Sequence, residues 1–251
     1  MVGSGGTLPR FMDRRTYMSA ETDRLAAGES TRAVRLSTGS VTLEGELIVP
    51  PRAEGLVLFA HGSGSSRHSP RNRVVAQLLH QAGLGTFLFD LLTLEEAGAD
   101  ASRGHLRFNI GLLTQRLVCA AHWVAEEDEA RHLRLGFFGA STGGGAALVA
   151  AADLGKAIGA VVSGGGRPDL AGNALRRIKA PTLLIVGERD ERVLELNEEA
   201  YGMLGCEKSL EVVRGASHLF EEPGALEEVA RLASGWFLER LRPFAGARFT
   251  R

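Results

Sequence analysis

Residues 137–148 read FFGASTGGGAAL, and this stretch decides the fold. Two aromatic residues lead toward a single serine, Ser141, and three consecutive glycines follow where a helix is expected to begin. Each glycine costs about 1 kcal/mol of helix propensity relative to alanine. We therefore predict a sharp strand-to-helix turn that leaves Ser141 accessible, with the glycines allowing the first helical turn to pack closely against neighbouring strands.

Short apolar runs alternate with amphipathic stretches on both sides of this turn. Most of the runs are too short and too uniformly apolar for surface strands, so they predict a parallel sheet covered by helices on both faces. The runs are 56–60, 85–90, 133–139, 157–163, 181–187 and 209–215. Residues 109–126 and 224–241 carry helical apolar stripes. Before the first run, apolar and polar residues alternate on both sides of residues 37–40, which predicts an antiparallel hairpin.

Length and composition predict one domain over residues 31–251, preceded by a leader at residues 1–30 without sustained periodicity. The 251 residues suit a single α/β unit, and a net charge of −1 gives no electrostatic reason to expect nucleic acid or a membrane as partner. Two cysteines, the lack of a signal-peptide core and the lack of a membrane-length apolar run predict a cytoplasmic protein. The oligomeric state cannot be read from the sequence.

Polar residues stand just past the ends of several predicted strands. Ligands of a doubly wound sheet bind at the carboxyl ends of its strands. Ser141 follows the third run, Asp190 the fifth and His218 the sixth, in the order serine, acid, histidine. Glu188 is an alternative acid. The segment from Gly139 to Gly143 also fits the G-x-S-x-G turn that exposes a nucleophilic serine.

These motifs resemble the α/β-hydrolases, and within them the dienelactone hydrolase-like serine hydrolases. The resemblance extends over 35–241 and rests on GASTG, HGSGSSRHSPRN, GERDERV and GASHLF in that order. It implies a mostly parallel eight-stranded sheet without a large cap domain, and a small soluble carboxylic ester, lactone or thioester as substrate. Dienelactone hydrolases use a cysteine nucleophile, whereas this turn carries Ser141, which puts the lactone substrate in doubt.

The resemblance also implies a role for each site residue. Ser141 would attack the ester, His218 would take the serine proton, and Asp190 would hold the histidine. The backbone N–H groups of Ser63 and Thr142 would form the oxyanion hole. Candidates for the substrate pocket are His61, Gly62, Arg67, His68 and His105. No cofactor is expected, and no residue spacing is typical of a metal site.

Several alternatives remain open in the sequence. Gly62-Ser63-Gly64 after a buried strand imitates a dinucleotide fold, although Arg67 replaces the third glycine. A non-catalytic binding module of the same fold is a third possibility. Arg67, His68, Arg71 and Arg73 could bind an acidic substrate group, pair with local carboxylates or form a solvated face. Residues 91–108 are either a partial lid or a plain excursion.

Overall fold

The computed structural model of the protein describes residues 31–242. The predicted leader at 1–30 lies outside this range, so the division into a leader and one domain stays a prediction. The eight strands are β1 (Thr31–Ser37), β2 (Thr42–Ile48), β3 (Leu56–Ala60), β4 (Gly85–Phe89), β5 (Leu135–Ala140), β6 (Ile158–Gly164), β7 (Thr182–Gly187) and β8 (Lys208–Val213). The helices are α1 (Pro70–Gln81), α2 (Leu94–Arg103), α3 (Ile110–Glu126), α4 (Thr142–Leu154), α5 (Glu191–Met203) and α6 (Ala225–Leu241), with short 3₁₀ segments at Gly155–Ala157 and Pro168–Arg177.

The strands form one sheet in the order β1-β2-β4-β3-β5-β6-β7-β8. The pairs β1–β2 and β2–β4 are antiparallel, and every other pair is parallel. The predicted eight-stranded, mostly parallel sheet is confirmed. So is the hairpin, whose register joins Ser37 to Thr42.

Helices cover both faces of the sheet because its strands are apolar on both sides. Strands β3 to β7 are buried along nearly their whole length. Neighbouring residues of a strand point to opposite faces. Phe137 accordingly belongs to the core beneath α3 and α4, while Phe138 belongs to the core beneath α1 and α6. The aromatic pair before Ser141 therefore anchors β5 in both cores.

Residues 91–108 form a short helix between β4 and α3 and no separate cap domain. The Thr93 hydroxyl accepts a hydrogen bond from the backbone N–H of Glu96, and the Glu96 carboxylate accepts one from the backbone N–H of Thr93, which is a capping box. Gly104 ends the helix in a left-handed conformation. Within residues 31–242, no helix is both long enough and apolar enough to cross a bilayer.

Candidate active site

Ser141 stands on a strained turn between β5 and α4. Its backbone has φ 50° and ψ −123°, which is unusual for a residue with a side chain. The Ser141 carbonyl accepts backbone hydrogen bonds from Gly144 at 2.9 Å and from Arg167 at 3.0 Å. The turn is therefore fixed from two sides, and the strain is carried by the surrounding structure.

The glycines around Ser141 are required by close approach of other backbone. A Cβ on Gly139 would lie 2.6 Å from the Gly143 carbonyl oxygen. A Cβ on Gly143 would lie 2.6 Å from the His61 carbonyl oxygen, and one on Gly145 would lie 2.9 Å from the Arg167 oxygen. Cβ atoms in proteins do not come within 3.0 Å of such neighbours. The weak helix propensity of this segment is thus offset by packing that only glycine permits.

His218 and Asp190 meet at the same edge of the sheet. Nδ1 of His218 lies 2.5 Å from Oδ2 of Asp190, in hydrogen-bonding contact. Asp190 immediately precedes α5, and His218 lies in the loop after β8. Glu188, the alternative acid, instead accepts a hydrogen bond from the backbone of Gly215 at 2.7 Å. The structure therefore brings Asp190 to the histidine and uses Glu188 to hold the β8 turn.

The loop that carries His218 is held by a carboxylate of its own. The backbone N–H of Ser217 donates to Glu222 at 2.9 Å, and this bond lowers the pKa of the Glu222 carboxyl to about 2. Arg189 forms an ion pair with the other Glu222 oxygen. Phe220 follows in a left-handed conformation with φ 53° and is buried. These contacts fix the chain on both sides of the imidazole.

Ser141 and His218 line one cavity of about 290 Å³, which we call the serine cavity. Gly62 and Ser63 form part of its wall, and a Cβ on Gly62 would lie 3.2 Å from Cβ of Ser141. The backbone N–H groups of Ser63 and Thr142 donate no hydrogen bond to any residue in 31–242. Both predicted oxyanion donors are therefore free, and one of them borders the space above Ser141.

His61 is a structural residue of the loop after β3, residues 61–68, which we call the oxyanion loop. The residue is 7% exposed; its Nδ1 bonds the Gly62 carbonyl at 3.0 Å, and its Nε2 accepts from the Leu91 backbone N–H at 2.9 Å. Burial lowers the pKa of His61 and keeps the ring neutral. His61 therefore ties the loop after β3 to the chain after β4, and its ring nitrogens are both occupied.

The basic residues near α1 pair with carboxylates of this chain. The Arg67 backbone donates to Asp90 at 2.7 Å, and its guanidinium contacts Asp90 and, at 2.7 Å, Glu44. Arg73 binds Glu46 at 2.8 Å. This geometry favours the loop-ordering interpretation of the cluster over recognition of an acidic substrate.

The two remaining pocket candidates, His68 and His105, do not line the serine cavity. His68 is exposed, and its Nδ1 lies 3.2 Å from the Arg73 guanidinium. His105 is exposed in the turn after α2 and lines neither the serine cavity nor the larger one beside it.

A larger cavity of about 950 Å³ also borders the oxyanion loop, and we call it the loop cavity. Its wall includes residues 61–68, residues 91–95 and Ala97. Arg116 fixes its outer wall, since its guanidinium bonds Glu96 at 2.6 and 2.7 Å and the Leu91 carbonyl at 2.6 Å. The segment 91–108 is thus held in place by Arg116 at the edge of the loop cavity.

Two buried polar side chains of this region, the Asn72 carboxamide and the Thr142 hydroxyl, were not predicted from the sequence. Asn72 lines the serine cavity, and the Thr142 hydroxyl is buried without a hydrogen-bond partner in residues 31–242. An asparagine in the first turn of a helix carries no sequence signal that would distinguish it from a surface residue. Over the same residues, no group of three or more His, Cys, Asp or Glu side chains could hold a metal ion.

The family of the chain follows from sequence comparison. A sequence model of the alpha/beta hydrolase domain matches residues 53–231, which include β3 to β8 and every predicted catalytic residue. This chain belongs to the α/β-hydrolase family. Within the family it is dienelactone hydrolase-like, as the motifs predict.

Solved structures of this family share the fold. A dienelactone hydrolase from Anabaena variabilis is 58% identical with a TM-score of 0.84, and the match covers 85% of this chain and 99% of that one. An esterase from Pyrococcus furiosus is 18% identical with a TM-score of 0.67, covering 96% of this chain and 98% of that one. This chain therefore has the hydrolase fold of the dienelactone hydrolases and esterases.

A longer relative carries a different name. A Mycobacterium tuberculosis protein named provisionally as a phosphoribosyl transferase is 52% identical over 235 residues, covering 92% of this chain and 52% of that protein. The chain thus spans about half the length of the curated relatives it matches.

Proposed function

We propose that this α/β-hydrolase is a serine hydrolase that cleaves a small carboxylic ester, lactone or thioester through an acyl-enzyme. The observation that carries the proposal is the contact between His218 and Asp190 at 2.5 Å, on the wall of the cavity that also contains Ser141 on its strained turn. Structural relatives named as esterase and dienelactone hydrolase support the same class of reaction.

The proposed reaction assigns one task to each group. His218 Nε2 takes the proton of Ser141 as Oγ attacks the carbonyl carbon, and Asp190 stabilises the imidazolium that forms. The carbonyl oxygen becomes an oxyanion, which the free N–H groups of Ser63 and Thr142 and the N-terminal end of α4 stabilise. His218 then protonates the leaving oxygen as the carbon–oxygen bond breaks. Water attacks the acyl-enzyme by the same route, and Ser141 regains its proton.

A fluorophosphonate probe and a short p-nitrophenyl ester test the proposal together. Wild-type protein should be labelled at Ser141 and should release p-nitrophenol. Ser141→Ala should lose labelling and lower the turnover rate by several orders of magnitude, with an unchanged circular dichroism spectrum and melting temperature. Turnover retained by the folded Ser141→Ala protein would remove this serine from the mechanism, and unlabelled wild type would favour a non-catalytic binding module.

The name of the longer relatives supplies a second candidate function, phosphoribosyl transfer. Phosphoribosyl transfer needs no serine nucleophile, so Ser141→Ala would leave such an activity intact. We propose that the half of those proteins that aligns with this chain contributes a hydrolase, because this chain, 52% identical to it, carries the predicted triad and oxyanion loop within its α/β-hydrolase match at residues 53–231.

A further inference from the structure

One largely buried polar side chain in the serine cavity has no hydrogen-bond partner among residues 31–242. Asn72 lies in the first turn of α1, is 7% exposed, and lines the cavity with Ser141 and His218. Its backbone N–H donates to Oγ of Ser69 at 3.4 Å. Its carboxamide makes no hydrogen bond with any residue in 31–242.

The carboxamide of Asn72 is open to the serine cavity. Much of the cavity wall is apolar, formed by Val75, Phe138, Phe220 and Val229 among others. Although Asn72 is only 7% exposed, its side-chain nitrogen and oxygen are not sealed from solvent, so in the resting protein they can bond water. A ligand with a matching polar group would replace that water, whereas an apolar ligand would leave the carboxamide desolvated and unpaired.

The charges near the cavity indicate that this group is neutral. Arg71 stands at the cavity wall, and its guanidinium lies 3.5 Å from a carboxylate oxygen of Glu221. Arg67 and Arg73 are held by their own carboxylates. Asn72 itself offers two N–H donors and one acceptor oxygen without a net charge. The site thus suits a hydroxyl or carbonyl oxygen better than an anion.

The size of the cavity bounds the ligand. A water molecule occupies about 30 Å³ in the liquid. A cavity of about 290 Å³ accordingly holds a group of roughly ten non-hydrogen atoms. That is the size of a substituted phenyl ring or of a medium-length aliphatic chain.

We propose that Asn72 is a specificity residue that binds a hydroxyl or carbonyl oxygen on an otherwise apolar group of the substrate. Resting on the function proposed above, this names the substrate class: esters in which the acid or alcohol part is a small hydroxyaryl, hydroxyalkyl or oxo-alkyl group. The apolar walls enclose the body of that group, and the carboxamide pairs with its oxygen. Esters without the oxygen leave Asn72 unpaired and bind less well.

Binding of matched non-ester ligands tests the proposal without any chemistry. Cresols and xylenes have the same shape and differ by one hydroxyl in place of a methyl group, and the ortho, meta and para isomers sample different positions in the cavity. Dissociation constants for the full chain are measured by ligand-observed NMR titration. For at least one isomer, the ratio of the xylene to the cresol dissociation constant should be about tenfold higher for wild type than for Asn72→Leu.

Matched variants separate recognition by Asn72 from general polarity. Asn72→Ala avoids overpacking and should lose the preference as Asn72→Leu does. Ser65→Ala removes a hydroxyl that lines the same cavity but is partly open to water, and it should keep the wild-type ratio. Both Asn72 variants should melt cooperatively, which shows that they keep the fold.

The outcomes are decisive in either direction. An equal ratio in wild type and Asn72→Leu, an equal loss in Ser65→Ala, or no binding of any cresol or xylene overturns the proposal. Since the ligands are not esters, these results do not depend on whether Ser141 is catalytic. A protein that discriminates cresols through Asn72 yet reacts with no fluorophosphonate would refute the hydrolase and leave the binding site standing.

Discussion

Replacing Gly143 with alanine should damage the site through one methyl group. The new Cβ would lie 2.6 Å from the His61 carbonyl oxygen and 2.6 Å from the Ala60 carbonyl carbon, and closer still to the Ala60 oxygen. Cβ atoms do not approach other heavy atoms more closely than 3.0 Å, so relieving the contact with the Ala60 oxygen requires the start of α4 and the loop after β3 to separate by roughly 0.9 Å. That separation moves the N–H of Thr142 away from that of Ser63.

The expected effects follow from this displacement. Misplacing catalytic groups by about 1 Å can cost 10²-fold in rate, so we expect kcat/KM for a p-nitrophenyl ester to fall roughly 10- to 100-fold in Gly143→Ala. Overpacking should also lower the free energy of unfolding by about 1–3 kcal/mol. Both quantities are measurable on one preparation, by ester hydrolysis and by chemical denaturation.

Gly235 provides the matched control. It lies exposed within α6, and a Cβ there would meet nothing within 4 Å. Gly235→Ala should keep the wild-type kcat/KM and raise the free energy of unfolding by up to about 1 kcal/mol through helix propensity. Wild-type kcat/KM in Gly143→Ala would show that the oxyanion geometry does not depend on this contact, and would refute the reasoning.

Three further predictions concern single side chains. Asp190→Asn should lower kcat by about 10³- to 10⁴-fold, because Asp190 contacts the His218 imidazole. Glu188→Gln should change kcat less than about twofold, because the Glu188 carboxylate hydrogen-bonds only the backbone N–H of Gly215 among residues 31–242. Equal losses in the two variants would contradict the assignment of Asp190 as the catalytic acid. Burial lowers the pKa of His61 in the folded protein below its value of about 6.5 in the unfolded chain, so the unfolded chain binds more protons as the pH drops below 6.5. The free energy of unfolding should therefore fall there, by up to about 1.4 kcal/mol per pH unit, and chemical denaturation across pH should show a shallower fall in His61→Gln. Thr142→Val should raise the free energy of unfolding by about 1 kcal/mol because it removes an unpaired buried hydroxyl, and a loss of stability would reveal a partner for that hydroxyl.

The sheet could be read from the sequence because each buried strand is a short apolar run bounded by polar residues. Strand ends also place side chains on a shared edge, which is why Asp190 and His218, 28 residues apart, could be predicted to meet. Helix α2 was not predicted, although the capping box of Thr93 and Glu96 is a signal that could have revealed it.

Other features depend on parts of the chain that are distant in sequence. Asn72 is buried because α1 packs against α6 and β4, and nothing in the sequence around it indicates that its carboxamide lacks a partner in residues 31–242. The carboxylates that hold Arg67 come from β2 and from the end of β4. The sequence therefore shows that Arg67, Arg71 and Arg73 are close along the chain, but it does not show that carboxylates distant along the chain pair with them.

The His61 ring gives a way to observe the oxyanion loop from a distance. Since its Nε2 holds the Leu91 amide, movement of that loop must stretch or break a bond to an ordinary backbone proton. The Leu91 resonance and its rate of hydrogen exchange should therefore report opening of the loop in solution. Compounds seated in the loop cavity, which both residues line, would register at the same proton without touching Ser141.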